Sequence, residues 1–194
     1  MEFFSPGVAN IDDLIQLGLL DLICGRLEDG AAKLRNVLTS ADSSKMQRLR
    51  IVPHYKLICE QLSRPLEVKW ADETMWQDIS GFSVQRGFWP EFAGTEHGRS
   101  MIYAPREKLD HAYLFDLMGQ ATIAFEEAEG AASENSVSCE AVLVSAFLAI
   151  KLGQPGKGQD LMTTIASYLG RPNAPAGLLK FREEIEERMS GAGK

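Results

Sequence analysis

Apolar residues recur at helical spacing from the beginning of the chain. Between residues 11 and 24 almost every position suited to a helix core holds Ile or Leu, and Asn10 is suited to cap the helix start. Gly25 predicts the end of this helix, because glycine readily adopts the left-handed conformation that closes many helices. A second helix is predicted over about 28–39. Because the first helix is apolar around most of its circumference, we expect it to be buried on more than one side.

A third helical pattern follows, with Asp42 or Ser43 as its cap, and it continues to Leu62. Pro53 lies inside this pattern. Since proline removes a backbone donor and clashes with the preceding turn, we expect a kink or a break near Val52.

Residues 66–104 have a different character, because they hold all three tryptophans of the chain, further aromatic residues and frequent glycines. They predict an irregular aromatic insertion rather than continuous helices. One short helix is expected at about 73–79, with Asp72 as its cap. A short β-pair that joins 82–85 with 101–103 is a further expectation.

The C-terminal half returns to helical spacing. Pro105 suits the first turn of a long helix over about 106–129, and the small residues of 130–135 predict a turn. Prolines separate three further predicted helices, at about 137–152, 156–169 and 176–189. Residues 190–194 are expected to form a disordered tail. The chain as a whole, 1–194, is predicted to be a single, mainly α-helical domain that carries the 66–104 insertion.

Two stretches of the chain repeat at one constant offset, which places Val142 on Leu14. Each stretch predicts a helix, a glycine turn and a second helix, with small residues where the two helices would cross. The first stretch contains Leu14, Leu17, Gly18, Gly25, Leu27, Gly30, Leu34 and Val37. The second contains Val142, Ser145, Ala146, Gly153, Pro155, Gly158, Met162 and Ile165.

These two hairpins resemble tetratricopeptide repeats, whose first helix carries a large apolar residue followed by Leu-Gly, and whose second helix begins after a turn glycine. The match is good over 14–37. It is weaker over 142–165, where Ser145 and Ala146 replace Leu-Gly. The resemblance implies a protein-binding scaffold made of helical hairpins. Since the usual tandem array is absent from the sequence, an irregular helical bundle is the alternative fold.

The resemblance also implies which side of each first helix faces a ligand. The positions in the first hairpin are Asp12, Ile15, Leu19, Leu22 and Ile23, and those in the second are Glu140, Leu143, Phe147, Ile150 and Lys151. Both sets are mainly apolar, which favours a groove for a peptide or an amphipathic helix. The alternative interpretation is that the same residues pack against intervening helices.

Aromatic residues of the insertion are the other candidates for protein recognition. Trp and Tyr are enriched at interface hot spots, so Trp76 and Trp89, with Phe88, Phe92 and Tyr103, are typical of an exposed patch. The alternative is a satellite core that anchors the insertion to the helices. The predicted protein-binding residues are therefore Ile15, Leu19, Leu22, Leu143, Phe147, Ile150, Trp76 and Trp89.

Composition narrows the possible partners. The net charge of −7 provides no surplus of basic side chains for phosphate contacts, so nucleic acid is not expected as a partner. No secretory signal and no membrane span are visible. The three cysteines are far apart and lie among apolar neighbours, which favours buried thiols and a cytoplasmic location. A homodimer through the apolar residues 11–24 is a further possibility.

Candidate chemistry is sparse. Glu96, His97 and Arg99 share one loop and could serve a small enzyme or a ligand pocket under residues 81–104. Glu107 and His111 are one helical turn apart, but no third metal ligand accompanies them. No metal or cofactor is expected. The leading hypothesis is a non-catalytic helical adaptor, scaffold or chaperone-like protein, and the small enzyme or small-molecule-binding protein is the alternative.

Overall fold

The computed structural model describes residues 10–79, 105–134, 138–171 and 174–191. Within these ranges the regular structure is helical, which confirms the mainly α fold class. The helices are α1 Ile11–Ile23, α2 Leu27–Thr39, α3 Lys45–Gln61, α4 Pro65–Ile79, α5 Pro105–Leu117, α6 Ala121–Glu134, α7 Cys139–Lys151, α8 Pro155–Leu169 and α9 Ala176–Gly191. The predicted β-pair of 82–85 with 101–103 lies outside the described residues.

The helices are distributed over two compact units. Unit 1, Met1–Ser83, contains the hairpins α1–α2 and α3–α4. Unit 2, Val84–Lys194, contains the hairpins α5–α6 and α7–α8, followed by α9. Within each unit the second helix of one hairpin packs against the first helix of the next, α2 on α3 and α6 on α7. The single helix α9 packs mainly against α7.

The hairpins formed by α1 to α8 all use the same short turn. The middle residue has a positive φ, and its N–H donates to the carbonyl three positions earlier. The N–H of the third residue donates to the carbonyl five positions earlier, at 2.8–2.9 Å. These paired bonds form the Schellman motif, which satisfies the last carbonyls of a helix. The turns are Cys24-Gly25-Arg26, Leu62-Ser63-Arg64, Met118-Gly119-Gln120 and Leu152-Gly153-Gln154.

Close helix crossings recur in the first and last hairpins. A Cβ on Gly30 would lie 3.0 Å from the carbonyl oxygen of Gly18, and a Cβ on Gly158 would lie 3.1 Å from that of Ala146. The two contacts occupy equivalent positions when the repeated stretches are aligned. The small residues therefore do set the spacing of the paired helices, as the sequence predicts.

The start of α3 and its course through proline both differ from expectation. Ser44, rather than Asp42 or Ser43, caps α3, because Ser44 and Gln47 form a reciprocal capping box. The helix then continues without a break through Pro53. Pro53 and the residues on either side of it are buried, so packing within the core offsets the lost backbone bond. The expectation was a kink or a break near Val52, and the break does not occur.

α4 begins earlier than the short helix predicted at 73–79. Its first residue is Pro65, and the carbonyl of Arg64 accepts bonds from the N–H groups of Glu67 and Val68 at 3.1 Å. Proline is favoured at the first helical position because its missing N–H has no partner to lose there. Pro65 therefore begins a helix, so residues 66–72, at the start of the stretch expected to be irregular, are helical as well.

The long helix predicted over 106–129 is two helices. α5 ends at Leu117 and α6 begins at Ala121, because Gly119 adopts φ +75° and closes α5. The turn predicted at 130–135 is also wrong over its described part, since α6 continues to Glu134. At the C-terminal end α9 includes Ser190 and Gly191, which lie beyond the predicted helix end at 189.

Candidate functional site

The predicted apolar groove residues are core residues in the structure. Ile15, Leu19 and Leu22 on α1 are at most 2% exposed, and the same holds for Leu143 and Phe147 on α7. Burial of this kind agrees with the alternative interpretation, in which these side chains pack against neighbouring helices. Their role in binding a partner stays a prediction.

The remaining predicted binding residues are placed differently. Ile150 is partly exposed and lies against α8, where its Cγ1 would be 2.9 Å from a Cβ on Gly158. Trp76 lies on α4. Trp89 lies outside the described residues, as do the other aromatic residues expected to accompany it. The recognition patch of the insertion stays a prediction, with the satellite core as its alternative.

The Phe147 ring is the central contact between α7 and α9. Its centroid lies 5.5 Å from that of Phe181, with the two ring planes inclined by 35°. The guanidinium carbon of Arg188 lies 4.5 Å from the Phe147 ring centroid. Leu178 and Ile185, on the same side of α9 as Phe181, are also buried. α9 thus lies over the side of α7 that the sequence assigned to a ligand.

Two polar contacts join the first helices of the hairpins in unit 2. The Tyr113 hydroxyl on α5 donates to Glu140 Oε1 on α7 at 3.0 Å, and both residues are buried. Lys151 Nζ lies 2.7 Å from Asp116 Oδ1, whose side chain is 5% exposed. Glu140 and Lys151, two predicted ligand-facing residues, therefore have intramolecular partners. The buried carboxylates are compensated, as buried charges must be.

A polar and aromatic cluster joins α2, α3 and α4 in unit 1. The Tyr55 hydroxyl donates to Glu67, and Arg35 Nη1 lies 2.8 Å from the same carboxylate. Trp70 meets the Tyr55 ring edge-on at 5.9 Å, and the Arg35 guanidinium lies 5.3 Å from the Trp70 ring centroid. Cys59 Sγ is 3.9 Å from Glu67 Oε2.

The cluster has a defined electrostatic state. The hydrogen bond from Tyr55, together with the charge of Arg35, lowers the pKa of Glu67, so the carboxylate is held ionised. Burial raises the pKa of the Tyr55 hydroxyl and of the Cys59 thiol, so both are held protonated. An activated nucleophile requires the opposite shift in a thiol. The cluster is built as a structural tie between helices.

The residues singled out for chemistry fall into two groups. Glu96, His97 and Arg99 lie outside the described residues. His111 is buried on α5 and meets the Phe115 ring edge-on at 6.4 Å, and Glu107 belongs to the first turn of the same helix. Among the described residues no group of three or more His, Cys, Asp and Glu side chains is arranged to hold a metal ion.

The remaining motifs have structural roles. His54 is 1% exposed, so it is a packed histidine of the core. Lys157 lies in the glycine-rich segment after α7. Its Nζ is 2.8 Å from Glu129 Oε1 and 4.3 Å from the Phe125 ring centroid, so this lysine ties α8 to α6. Burial raises the pKa of the Cys139 thiol.

No described helix is both long enough and apolar enough to cross a membrane.

Comparison of the chain with protein-family models, with curated proteins and with solved structures gives no match.

Sequence reasoning missed the α3–α4 and α5–α6 hairpins and the position of α9. The α5–α6 hairpin does have a signal in the sequence, because Gly119 precedes Gly153 by one repeat length. At the same offset, Ala112 and Ala124 correspond to the small crossing residues Ala146 and Gly158. The α3–α4 hairpin has no such signal, because Ser63 occupies the turn position that glycine holds elsewhere. The seating of α9 on Phe147 follows from tertiary packing, which periodicity does not specify.

Proposed function

We propose that this chain is a non-catalytic protein–protein interaction module, a scaffold or adaptor made of helical hairpins similar to tetratricopeptide repeats. The observation that carries the proposal is the repeated hairpin. The described helices α1 to α8 form helix pairs closed by one type of turn, and the first and last pairs cross at matched small residues. Stacked helical hairpins are built by nearest-neighbour packing, and their principal use in proteins is to present an extended surface to another chain.

The spacing within unit 2 adds support. Gly153 follows Gly119 at the period of a tetratricopeptide repeat, roughly 34 residues. The corresponding interval in unit 1, from Gly25 to Ser63, is longer by about one helical turn. We therefore infer a short hairpin stack within each unit, with the tetratricopeptide spacing in unit 2.

The partner that fits this proposal is a helix or a peptide of another protein. Among the described residues no group of three or more His, Cys, Asp and Glu side chains is arranged to hold a metal ion, and the Tyr113–Glu140 and Arg35–Glu67 contacts tie helices to each other. A cytoplasmic location belongs to the same proposal, since the buried thiols of Cys59 and Cys139 are typical of a reducing compartment.

The test uses an exposed position beside the buried face of α1. Asp12 is exposed and belongs to the predicted ligand-facing side, whereas Ala32 is exposed on the second helix of the same hairpin. A photo-crosslinking amino acid at Asp12 should give a discrete adduct in a lysate of the native cell, and one at Ala32 should not. Loss of the Asp12 bond to Gln47 is tolerable because that bond is exposed.

Two results would count against the proposal. One is the absence of any adduct from the Asp12 position at protein concentrations near those in the cell. The other is an identical set of adducts from both positions, which would indicate non-specific contact. Circular dichroism of both variants checks that the helical content is unchanged.

A further inference from the structure

One side of α9 faces the Phe147 ring of α7. Phe181, Glu184, Ile185 and Arg188 occupy positions i, i+3, i+4 and i+7 of α9, the four positions that surround a hole in knobs-into-holes packing. The Phe147 ring touches the first and the last of these, at the distances given above. Glu184 Oε1 lies 3.2 Å from Arg188 Nη2 and orients its guanidinium.

The attachment of α9 differs from that of the other helices in unit 2. Helices α5 to α8 are paired in hairpins, whereas α9 is single, and among the described residues its contact with α8 is small compared with its contact with α7. Its buried side chains form one apolar stripe, Leu178, Phe181 and Ile185. The opposite side carries charge, with Lys180, Glu183 and Glu187 exposed.

A single amphipathic helix laid on an apolar helix face is the arrangement by which grooves bind helical ligands. The residues of α9 therefore specify what the α7 face accepts: an aromatic residue, an isoleucine four positions later and an arginine three positions after that. The arginine adds a requirement beyond hydrophobicity, because a cation over an aromatic face is favourable only at a defined position.

We propose that the face of α7 formed by Leu143 and Phe147 is a binding site for an amphipathic helix with this pattern, and that α9 occupies the site as an intramolecular ligand. A partner helix of the same chemistry gains access by displacing α9. This inference rests on the proposed function, since it names the kind of partner that one hairpin face takes and the element that controls access to it.

The test uses the full chain and a fluorescent peptide with the sequence of residues 174–191. Because an intramolecular occupant reduces the apparent affinity of any competitor, weakening α9 should strengthen peptide binding. Phe181→Ala in the full chain removes the ring that contacts Phe147. We expect the dissociation constant of the peptide, measured by fluorescence anisotropy, to fall by roughly tenfold or more relative to the unmodified chain.

Two matched controls make the result specific. Glu187→Ala alters an exposed α9 position and should leave the dissociation constant unchanged. A peptide that itself carries Phe181→Ala should bind the Phe181→Ala chain at least about tenfold more weakly than the natural peptide, because it lacks the anchoring ring. Equal affinity of the natural peptide for the unmodified and Phe181→Ala chains would overturn the proposal.

Amide hydrogen exchange of the unmodified chain tests the same idea if Phe181→Ala fails to fold. A displaceable helix opens without unfolding the element beneath it, so amides of α9 should exchange faster than those in the middle of α7. Equal protection of α9 and α7, with a common opening reaction, would overturn the proposal.

Failure of this inference can be told apart from failure of the proposed function. The peptide assay requires no cellular partner, whereas the crosslink from Asp12 reports a partner on unit 1. A crosslinked partner without peptide binding would remove only the α9 inference. Peptide binding without a crosslinked partner would leave α9 as a displaceable helix and remove the scaffold function assigned to unit 1.

Discussion

Gly30 shows how much of the hairpin geometry depends on one missing side chain. A Cβ at this position would lie 2.8 Å from Leu22 Cγ and 3.0 Å from the carbonyl oxygen of Gly18. The backbone oxygen cannot move away without separating α1 from α2. The close crossing of α1 and α2 therefore depends on the absence of a side chain at residue 30, and it does not depend on the helix propensity of the segment.

Gly30→Ala should destabilise the protein even though alanine favours helices. The intrinsic gain is about 1 kcal/mol, but overpacking against backbone costs about 1–3 kcal/mol and separates the helices. Gly156→Ala is the matched control, because a Cβ on this α8 residue would have no heavy atom within 4 Å. It should be neutral or stabilising by up to about 1 kcal/mol.

Urea unfolding followed by circular dichroism measures both effects. A Gly30→Ala variant as stable as Gly156→Ala would mean that the α1–α2 crossing adjusts without cost, and the account of the small residues would be wrong.

Sequence periodicity identifies the apolar faces around Leu19 and Phe147 but not what covers them. A periodic pattern marks the side of a helix that avoids water. It does not distinguish a side covered by another helix of the same chain from one covered by a partner. For Phe147 the cover is α9, and the residues that provide it, Phe181 and Arg188, lie in a segment whose charges are typical of a solvated face.

At the scale of elements, the recurring Schellman turn is the main determinant of the fold. It fixes the helix ends at Gly25, Gly119 and Gly153, where glycine adopts φ between +74° and +83° at no steric cost. Ser63 adopts φ +57° in the turn between α3 and α4, so it bears the strain that a side chain suffers in this conformation.

Reciprocal substitutions at two equivalent turns should have opposite effects. Ser63→Gly relieves the left-handed strain and should stabilise the protein by up to about 1 kcal/mol, after the greater flexibility of glycine in the unfolded chain is subtracted. Gly25→Ser introduces the same strain where a Cβ meets no neighbour, so it should destabilise by about 1 kcal/mol. Changes of the same sign in thermal unfolding would contradict this account of the turn.

Helix ends can be predicted where this turn carries glycine between clear apolar patterns, as at Gly25 and Gly153. Gly119 is not marked by the apolar periodicity, because the residues on both sides of it continue a helical spacing, and only its repeat-length distance from Gly153 indicates the turn. Pro53 leads to the opposite error. Its effect on an isolated helix is unfavourable, but the buried surroundings of α3 override that preference.

At the scale of the whole molecule, the main helix–helix contacts within each unit join helices that are neighbours along the chain, and the α7–α9 pair is the exception among the described helices. Local contacts of this kind favour rapid folding. They also make the free energy of unfolding approximately the sum of the stability of each hairpin and of its contacts with the next hairpin. Long-range polar contacts then matter most where they join different hairpins. In unit 1 the Arg35–Glu67 ion pair does so, and the Tyr55–Glu67 hydrogen bond joins the two helices of the α3–α4 hairpin.

Glu67 should make the stability of the chain sensitive to acid. The hydrogen bond from Tyr55 and the charge of Arg35 lower the pKa of Glu67 in the folded state below its ordinary value of 4.5. A group with a depressed folded pKa contributes stability above its unfolded pKa, and this contribution is lost as the pH falls through the folded pKa. The wild-type melting temperature should therefore fall between about pH 5 and pH 3 by more than that of Glu67→Gln.

Glu73→Gln serves as the control for this acid dependence, because Glu73 is exposed and its 3.9 Å pair with Lys69 lies on a single helix. Its melting curve should keep the wild-type dependence on pH, whereas Glu67→Gln should start lower at pH 7 and vary less in acid. Protonation also reduces the net negative charge of the molecule, which acts on all three proteins alike. The difference between Glu67→Gln and the other two proteins thus isolates the α2–α3–α4 cluster, and parallel curves for all three would show that Glu67 does not join these helices energetically.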